Sequence, residues 1–139
     1  MTYELSFDKA RVQFEVVHAA LAGEYWSPNI RADVLQRAIA NSFVVSAFTG
    51  AEQVGFARIV SDEATFAWLC DVWVAQAHRG RGVAKQMLAA LVAEPRFQTL
   101  RRFALATRDA HTLYAQFGFA AVPDGVWMEL RPPASAWQD

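Results

Sequence analysis

From Asp71 to Leu88 the chain runs from an apolar strand through Gln76-Ala77-His78-Arg79-Gly80-Arg81-Gly82 into an apolar-striped helix that opens at Val83-Ala84. Glycines at such a junction let the backbone turn sharply and expose amide N–H groups. The helix start adds unsatisfied donors and the positive end of its dipole. Those groups suit phosphate, and Arg79 and Arg81 supply counter-charge in a forked donor geometry. The same residues also fit an ordinary surface turn kept soluble by its arginines. No Gly-Lys-Ser/Thr closes the turn and no Gly-x-Gly-x-x-Gly is present. A Walker-type nucleotide loop and a dinucleotide fingerprint are therefore excluded, leaving a diphosphate site of another kind.

Other residue types narrow the chemistry. Asp71 is an acid in an otherwise apolar strand, where burial is costly unless the carboxylate has a partner or a task. Arg58 on the preceding strand offers a partner, so a structural ion pair and a general base both remain open for Asp71. Glu24 and Asp109 are further carboxylate candidates. Cys70 lacks a paired histidine and reads as a core residue. His18, His78 and His111 are scattered, and with a single cysteine they form no recognisable metal site. His78, in the turn, is expected to face solvent.

Thirteen Lys and Arg against fourteen Asp and Glu give a net charge of -1, which leaves no nucleic-acid footprint but allows a small basic mouth for an anion. Hydrophobic residues make up 54% and charged residues 19%, which excludes disorder and predicts a well-filled core. No apolar run approaches the ~20 residues of a spanning helix, so no membrane association is expected. One cysteine and an N-terminus without a basic region or long apolar run suit a cytoplasmic setting.

The spacing predicts a strand at 3–7, helices from 12 or 13 to 22 and from 30 to 40, and strands at 43–48, 54–60 and 65–74. The phosphate-site turn and a helix to Ala93 follow, then a strand at 103–106, a short helix at 111–117, and two strands at 119–122 and 126–130 around Pro123-Asp124-Gly125. A single domain over 1–131 is expected, with a loose tail at 132–139. An antiparallel meander feeding a strand–helix–strand–helix half makes the class α+β, with a mixed central sheet in α/β/α layers.

This order, with Arg79-Gly80-Arg81-Gly82-Val83-Ala84 after the strand ending in Val72 and Val74, and Leu113-Tyr114-Ala115-Gln116-Phe117-Gly118-Phe119 later, resembles the GCN5-related N-acetyltransferase (GNAT) superfamily over nearly the whole chain. The resemblance is to small single-domain bacterial members. It implies an acyl-CoA N-acyltransferase fold with splayed fourth and fifth strands, and transfer of an acetyl group from acetyl-CoA to a primary amine through a tetrahedral intermediate. The backbone of Val72 and Val74 would hold the pantetheine arm and the thioester oxygen. The turn from Arg79 through Gly80, Arg81, Gly82, Val83 and Ala84 would hold the diphosphate. Tyr114 would be the general acid for the leaving thiolate. Asp109 stands where many members carry Asn, and a carboxylate offers no donor.

The small-molecule acceptor is expected between the first helical hairpin loop and the tip of the fifth strand. Glu24, Tyr25, Trp26, Trp68, Trp73, Arg58 and Asp109 are candidates around it. A homodimer is expected, with the C-terminal strands near the interface. The alternative class is a non-catalytic acyl-CoA-binding or sensor module.

Overall fold

The computed structural model describes residues 2–139. Five strands form one sheet in the order β1-β2-β3-β4-β5: β1 (Glu4–Ser6), β2 (Phe43–Thr49), β3 (Glu52–Ser61), β4 (Phe66–Val74) and β5 (Arg102–Leu105). The first four run antiparallel in sequence, and β5 is parallel to β4. The sheet is therefore mixed, as expected.

Strand parity sorts the core into two layers. Val44 and Phe56 face α1 (Phe14–Ala22) and α2 (Ala32–Ala40), where they meet Val17, Leu21, Leu35 and Ile39. Val45, Ala47, Ala57, Ile59, Ala67 and Leu69 face α3 (Val83–Ala93), against Val83, Met87, Leu88 and Leu91. Each fully buried Leu, Ile or Phe in these layers contributes about 1.5–3 kcal/mol. The result is the α/β/α arrangement, with α4 (His111–Ala115) adding Leu113 and Tyr114 to the α3 side.

Two features of β4 shape the site. It pairs with β5 only from Phe66↔Arg102 to Leu69↔Leu105, after which the two strands part. On its other edge Phe56 pairs with Trp73 and Arg58 with Cys70, two steps along β3 against three along β4. The extra residue is a bulge in β4, and within it Asp71 adopts φ 54°. Aspartate tolerates that left-handed conformation better than most side chains.

Several expected boundaries move for identifiable reasons. The Gln13 N–H is taken by the Gln53 side chain at 2.7 Å, so α1 opens at Phe14. The second helix opens at Ala32 because Ile30 bridges Gln138 and the Arg31 N–H donates to the Trp137 carbonyl at 2.9 Å. The tail expected to be loose is thus docked, and Asp139 N–H also donates to the Asn29 carbonyl at 2.9 Å. The strands expected at 119–122 and 126–130 do not form. These short apolar runs find no neighbouring strand to take their backbone groups, and Met128 and Leu130 stand 94% and 88% exposed. No helix among the described residues is long and apolar enough to cross a membrane.

Candidate active site

Val74, His78, Arg79, Gly80, Gly82, Val83, Ala84, Lys85 and Leu113 line a groove of about 310 Å³ where β4 leaves the sheet and α3 begins. Gly80 and Gly82 have φ 75° and 82°, and Gly82 is the N-cap of α3. No side chain caps that helix, so the amides of its first turn lie open. A Cβ on Gly80 would meet nothing within 4 Å. What the turn needs from glycine is its backbone freedom, not space. His78 is half-buried and its Nδ1 lies 2.9 Å from the Tyr3 hydroxyl, which corrects the expectation that it faces solvent.

Val74 presents its main chain to the gap between β4 and β5. Ala75 N–H donates to the Val54 carbonyl at 2.8 Å, which makes Gly55↔Val74 a non-hydrogen-bonded pair. The N–H and C=O of Val74 therefore point away from β3, towards the side β5 has already left. The carbonyl accepts from Arg79 Nε at 3.1 Å. Val72 is half-buried and packs against the α3-side core, while Arg81 is exposed beside the groove.

Across the splay, Asp71 is buried, with its side chain 8% exposed. Its Oδ2 accepts from Arg58 Nε at 2.8 Å and its Oδ1 from Trp26 Nε1 at 3.1 Å. Arg58 Nη1 donates onward to Ser42 Oγ at 3.1 Å. Both Asp71 oxygens thus hold a donor, and service as a base competes with these bonds. Burial pushes the Cys70 thiol up to about 12, with Arg58 pulling it down and Asp71 raising it, so the group is no nucleophile near neutral pH.

The loop after α1 is tied to the tip of β5. Arg108 N–H donates to the Tyr25 hydroxyl at 3.3 Å, and its guanidinium sits 3.7 Å from the Tyr25 ring centroid. Glu24 Oε1 lies 3.8 Å from Arg79 Nη2. Tyr114 is half-buried; burial raises its phenol above the ordinary value, and the neighbouring Tyr25 and Asp109 push the same way. Glu24, Tyr25, Trp26, Arg58, Asp71, Asp109 and Tyr114 therefore gather around the splay. Trp68 does not join them, since it lies in the closed half of β4 between Val60 and Ala104.

Residues 9–119 match the Acetyltransferase (GNAT) family. The chain belongs to that family. It is similar to the crystal structure of a GNAT-family protein from Xanthomonas campestris pv. campestris, at 41% identity, TM-score 0.92, and 96% of each chain covered. It is 30% identical over 135 residues to a Gibberella zeae protein named as an acetyltransferase, covering 82% of this chain and 76% of that one. A Staphylococcus aureus structure shares the fold at TM-score 0.78 and 18% identity, over 94% of this chain and 100% of the other.

A GNAT fold implies a cofactor of the acyl-CoA type, and the groove fits one. Its open α3 amides and two left-handed glycines suit a diphosphate, and the gap-facing main chain of Val74 suits an amide-bearing arm. Lys85 and Leu113 line this GNAT groove without having been singled out in the sequence. Lys85 carried a readable signal: a cation in a helix's first turn opposes the dipole unless an anion sits there. Leu113 carried none, because an apolar residue on a short helix reads as core.

Proposed function

We propose that this GNAT protein moves the acetyl group of acetyl-CoA directly to a primary amine of a small molecule, through a tetrahedral intermediate. The observation that carries the reading is that Tyr114, on α4, is half-buried against the same core that Val72 and Val74 pack on, with Tyr25 and Asp109 as its charged or polar neighbours, on a sheet whose β4 and β5 part after Leu69↔Leu105. Acetyl-CoA supplies an activated thioester; the chain's own residues do the rest.

The amides of Gly80, Gly82, Val83 and Ala84 take the diphosphate, with Arg79, Arg81 and Lys85 providing counter-charge. The main chain of Val72 and Val74 orients the arm, and an N–H aimed at the thioester oxygen stabilises the charge that develops there as the amine attacks. Tyr114 donates its phenolic proton to the departing sulfur, and the proton given up by the attacking nitrogen restores the phenol through water. A thiol with a reference pKa of ~8.5 leaves without a donor at only modest cost, so Tyr114 assists the step and is not indispensable. Asp71 acts as a positioning group, fixing Trp26 and Arg58 on the acceptor side.

The acceptor must be neutral at the moment of attack, and an alkylamine of pKa ~10.4 is almost wholly protonated at neutral pH. Tyr25, Trp26 and Trp73 provide apolar walls, and Glu24 an acid, for an aliphatic or aromatic amine. The test is incubation with acetyl-CoA and lysine, polyamines, arylamines and peptides while free thiol is followed. Amine-dependent thiol release is expected. Cofactor binding with no turnover across the panel would instead make the chain a binding module.

A further inference from the structure

Arg79 touches both halves of the site at once. Its Nε donates to the Val74 carbonyl at 3.1 Å, and its Nη2 lies 3.8 Å from Glu24 Oε1. The first contact covers the strand carbonyl that faces the gap. The second neutralises the acid of the acceptor-side loop. The Glu24 contact does not hold the arginine firmly. Its side chain is 57% exposed, and 3.8 Å is beyond hydrogen-bond range, so the Glu24 contact is a solvent-screened charge pair.

A diphosphate seated on the Gly80–Gly82 turn would be the stronger partner, because it carries more charge and accepts the guanidinium fork in two bonds. We propose that Arg79 is exchanged between Glu24 and the cofactor's diphosphate, so that filling the groove frees the Glu24 carboxylate for a cationic acceptor. The exchange rests on the reading of the groove given above. It also uncovers the Val74 carbonyl when an arm amide arrives to use it.

Glu24 is largely covered, with 24% of its side chain exposed, and Arg79 is the cation within 4 Å of it among the described residues. Once Arg79 leaves, a partly desolvated carboxylate stands unpaired, which is unfavourable until another cation replaces it. The reacting nitrogen must be neutral, so the replacement charge belongs to a second group on the acceptor. The acceptor class that satisfies both demands is a diamine, or an amine carrying another positive charge nearby.

The test is a double-mutant cycle read by calorimetric titration with coenzyme A, supported by the same titration with 1,4-diaminobutane. Glu24→Gln should tighten coenzyme A binding about threefold, the scale of an exposed ion pair, and this gain should vanish in an Arg79→Gln background. Diaminobutane should bind more tightly when coenzyme A saturates the unaltered chain, and Glu24→Gln should abolish that gain. A Glu24→Gln effect that is absent, or equal in both backgrounds, overturns the exchange. So does diaminobutane binding that ignores the cofactor, or no binding at all. Failure of the unaltered chain to bind coenzyme A overturns the groove itself, and the exchange with it.

Discussion

Trp26 and Asp71 lie 45 positions apart in sequence and meet at 3.1 Å, indole Nε1 to carboxylate Oδ1. The same carboxylate takes Arg58 at 2.8 Å on its other oxygen. One buried acid therefore joins the loop after α1, the β4 bulge and β3.

Removing that acid should be costly. Asp71→Ala leaves the Arg58 guanidinium, 16% exposed, without its charge partner and the Trp26 N–H without an acceptor. A loss of about 3–5 kcal/mol is expected in urea unfolding, as for other broken buried pairs. Asp71→Asn keeps an acceptor and tolerates φ 54°, so it should lose less. Unfolding of the alanine variant at the wild-type midpoint would contradict the linkage.

Gly55 and Gly82 should each suffer from valine, for different reasons. A Cβ on Gly55 would lie 3.0 Å from Val83 Cγ1, 3.1 Å from Ala47 Cβ and 3.2 Å from Met87 Sδ. Gly55→Val therefore overpacks the seat of α3, at a cost of about 1–3 kcal/mol or more. At Gly82 the nearest atom is Gln86 Nε2 at 4.0 Å, and the constraint is φ 82°. Gly82→Val should cost only about 1–2 kcal/mol in stability. It should weaken coenzyme A binding about tenfold, close to 1.4 kcal/mol, by shifting the α3 amides. Equal affinity in the folded Gly82 variant would mean that the turn does not hold the diphosphate.

Tyr114→Phe should lower kcat roughly ten- to a thousandfold, with coenzyme A affinity unchanged. The sign of the pH dependence follows from burial, which disfavours the phenolate and raises the pKa above 10.0. The proton to be donated is therefore held to higher pH than on an exposed tyrosine. The rate should climb with pH as the acceptor amine loses its proton, and any alkaline fall should come at higher pH than an ordinary phenol would give. A Tyr114→Phe enzyme with unaltered kcat would reduce Tyr114 to a packing residue.

Val122, Val126, Trp127, Met128 and Leu130 are all exposed in the segment that forms no strand. A second copy of the chain is the expected cover for them, because so contiguous an apolar stretch is an association hazard when left bare. Light scattering at micromolar concentration should give twice the 15.5 kDa chain mass. A mass of 15.5 kDa at every concentration would contradict the homodimer.

Much of this architecture was legible in the sequence because it is local. Period-two runs gave β2 to β4, and the Arg79–Gly82 turn announced a junction whose φ values then proved to need glycine. Non-local partners were not legible. Nothing near Ile30 reveals that Gln138 will bridge it, so the helix the spacing predicts from residue 30 begins only at Ala32. The short apolar run at 126–130 reads as strand, yet a strand exists only if another chain segment pairs with it. Asp71 showed its burial by its apolar neighbours and Arg58 by its position on the next strand, whereas the Trp26 bond depends on how a distant loop folds back.

Among the described residues, a cavity of about 310 Å³ is the groove at Val74, Gly80, Gly82 and Lys85, and another of the same volume lies at the far end of the sheet, lined by Lys9, Ser42, Ser61 and Arg96. Titration of the ¹⁵N-labelled chain with coenzyme A, followed amide by amide, separates them directly. The largest shifts should fall on Val74, Gly80, Gly82, Val83 and Ala84, with Ser42, Ser61 and Arg96 unmoved. Shifts concentrated at Ser42, Ser61 and Arg96, or none anywhere, would contradict the assignment of the splayed groove as the acyl-CoA site.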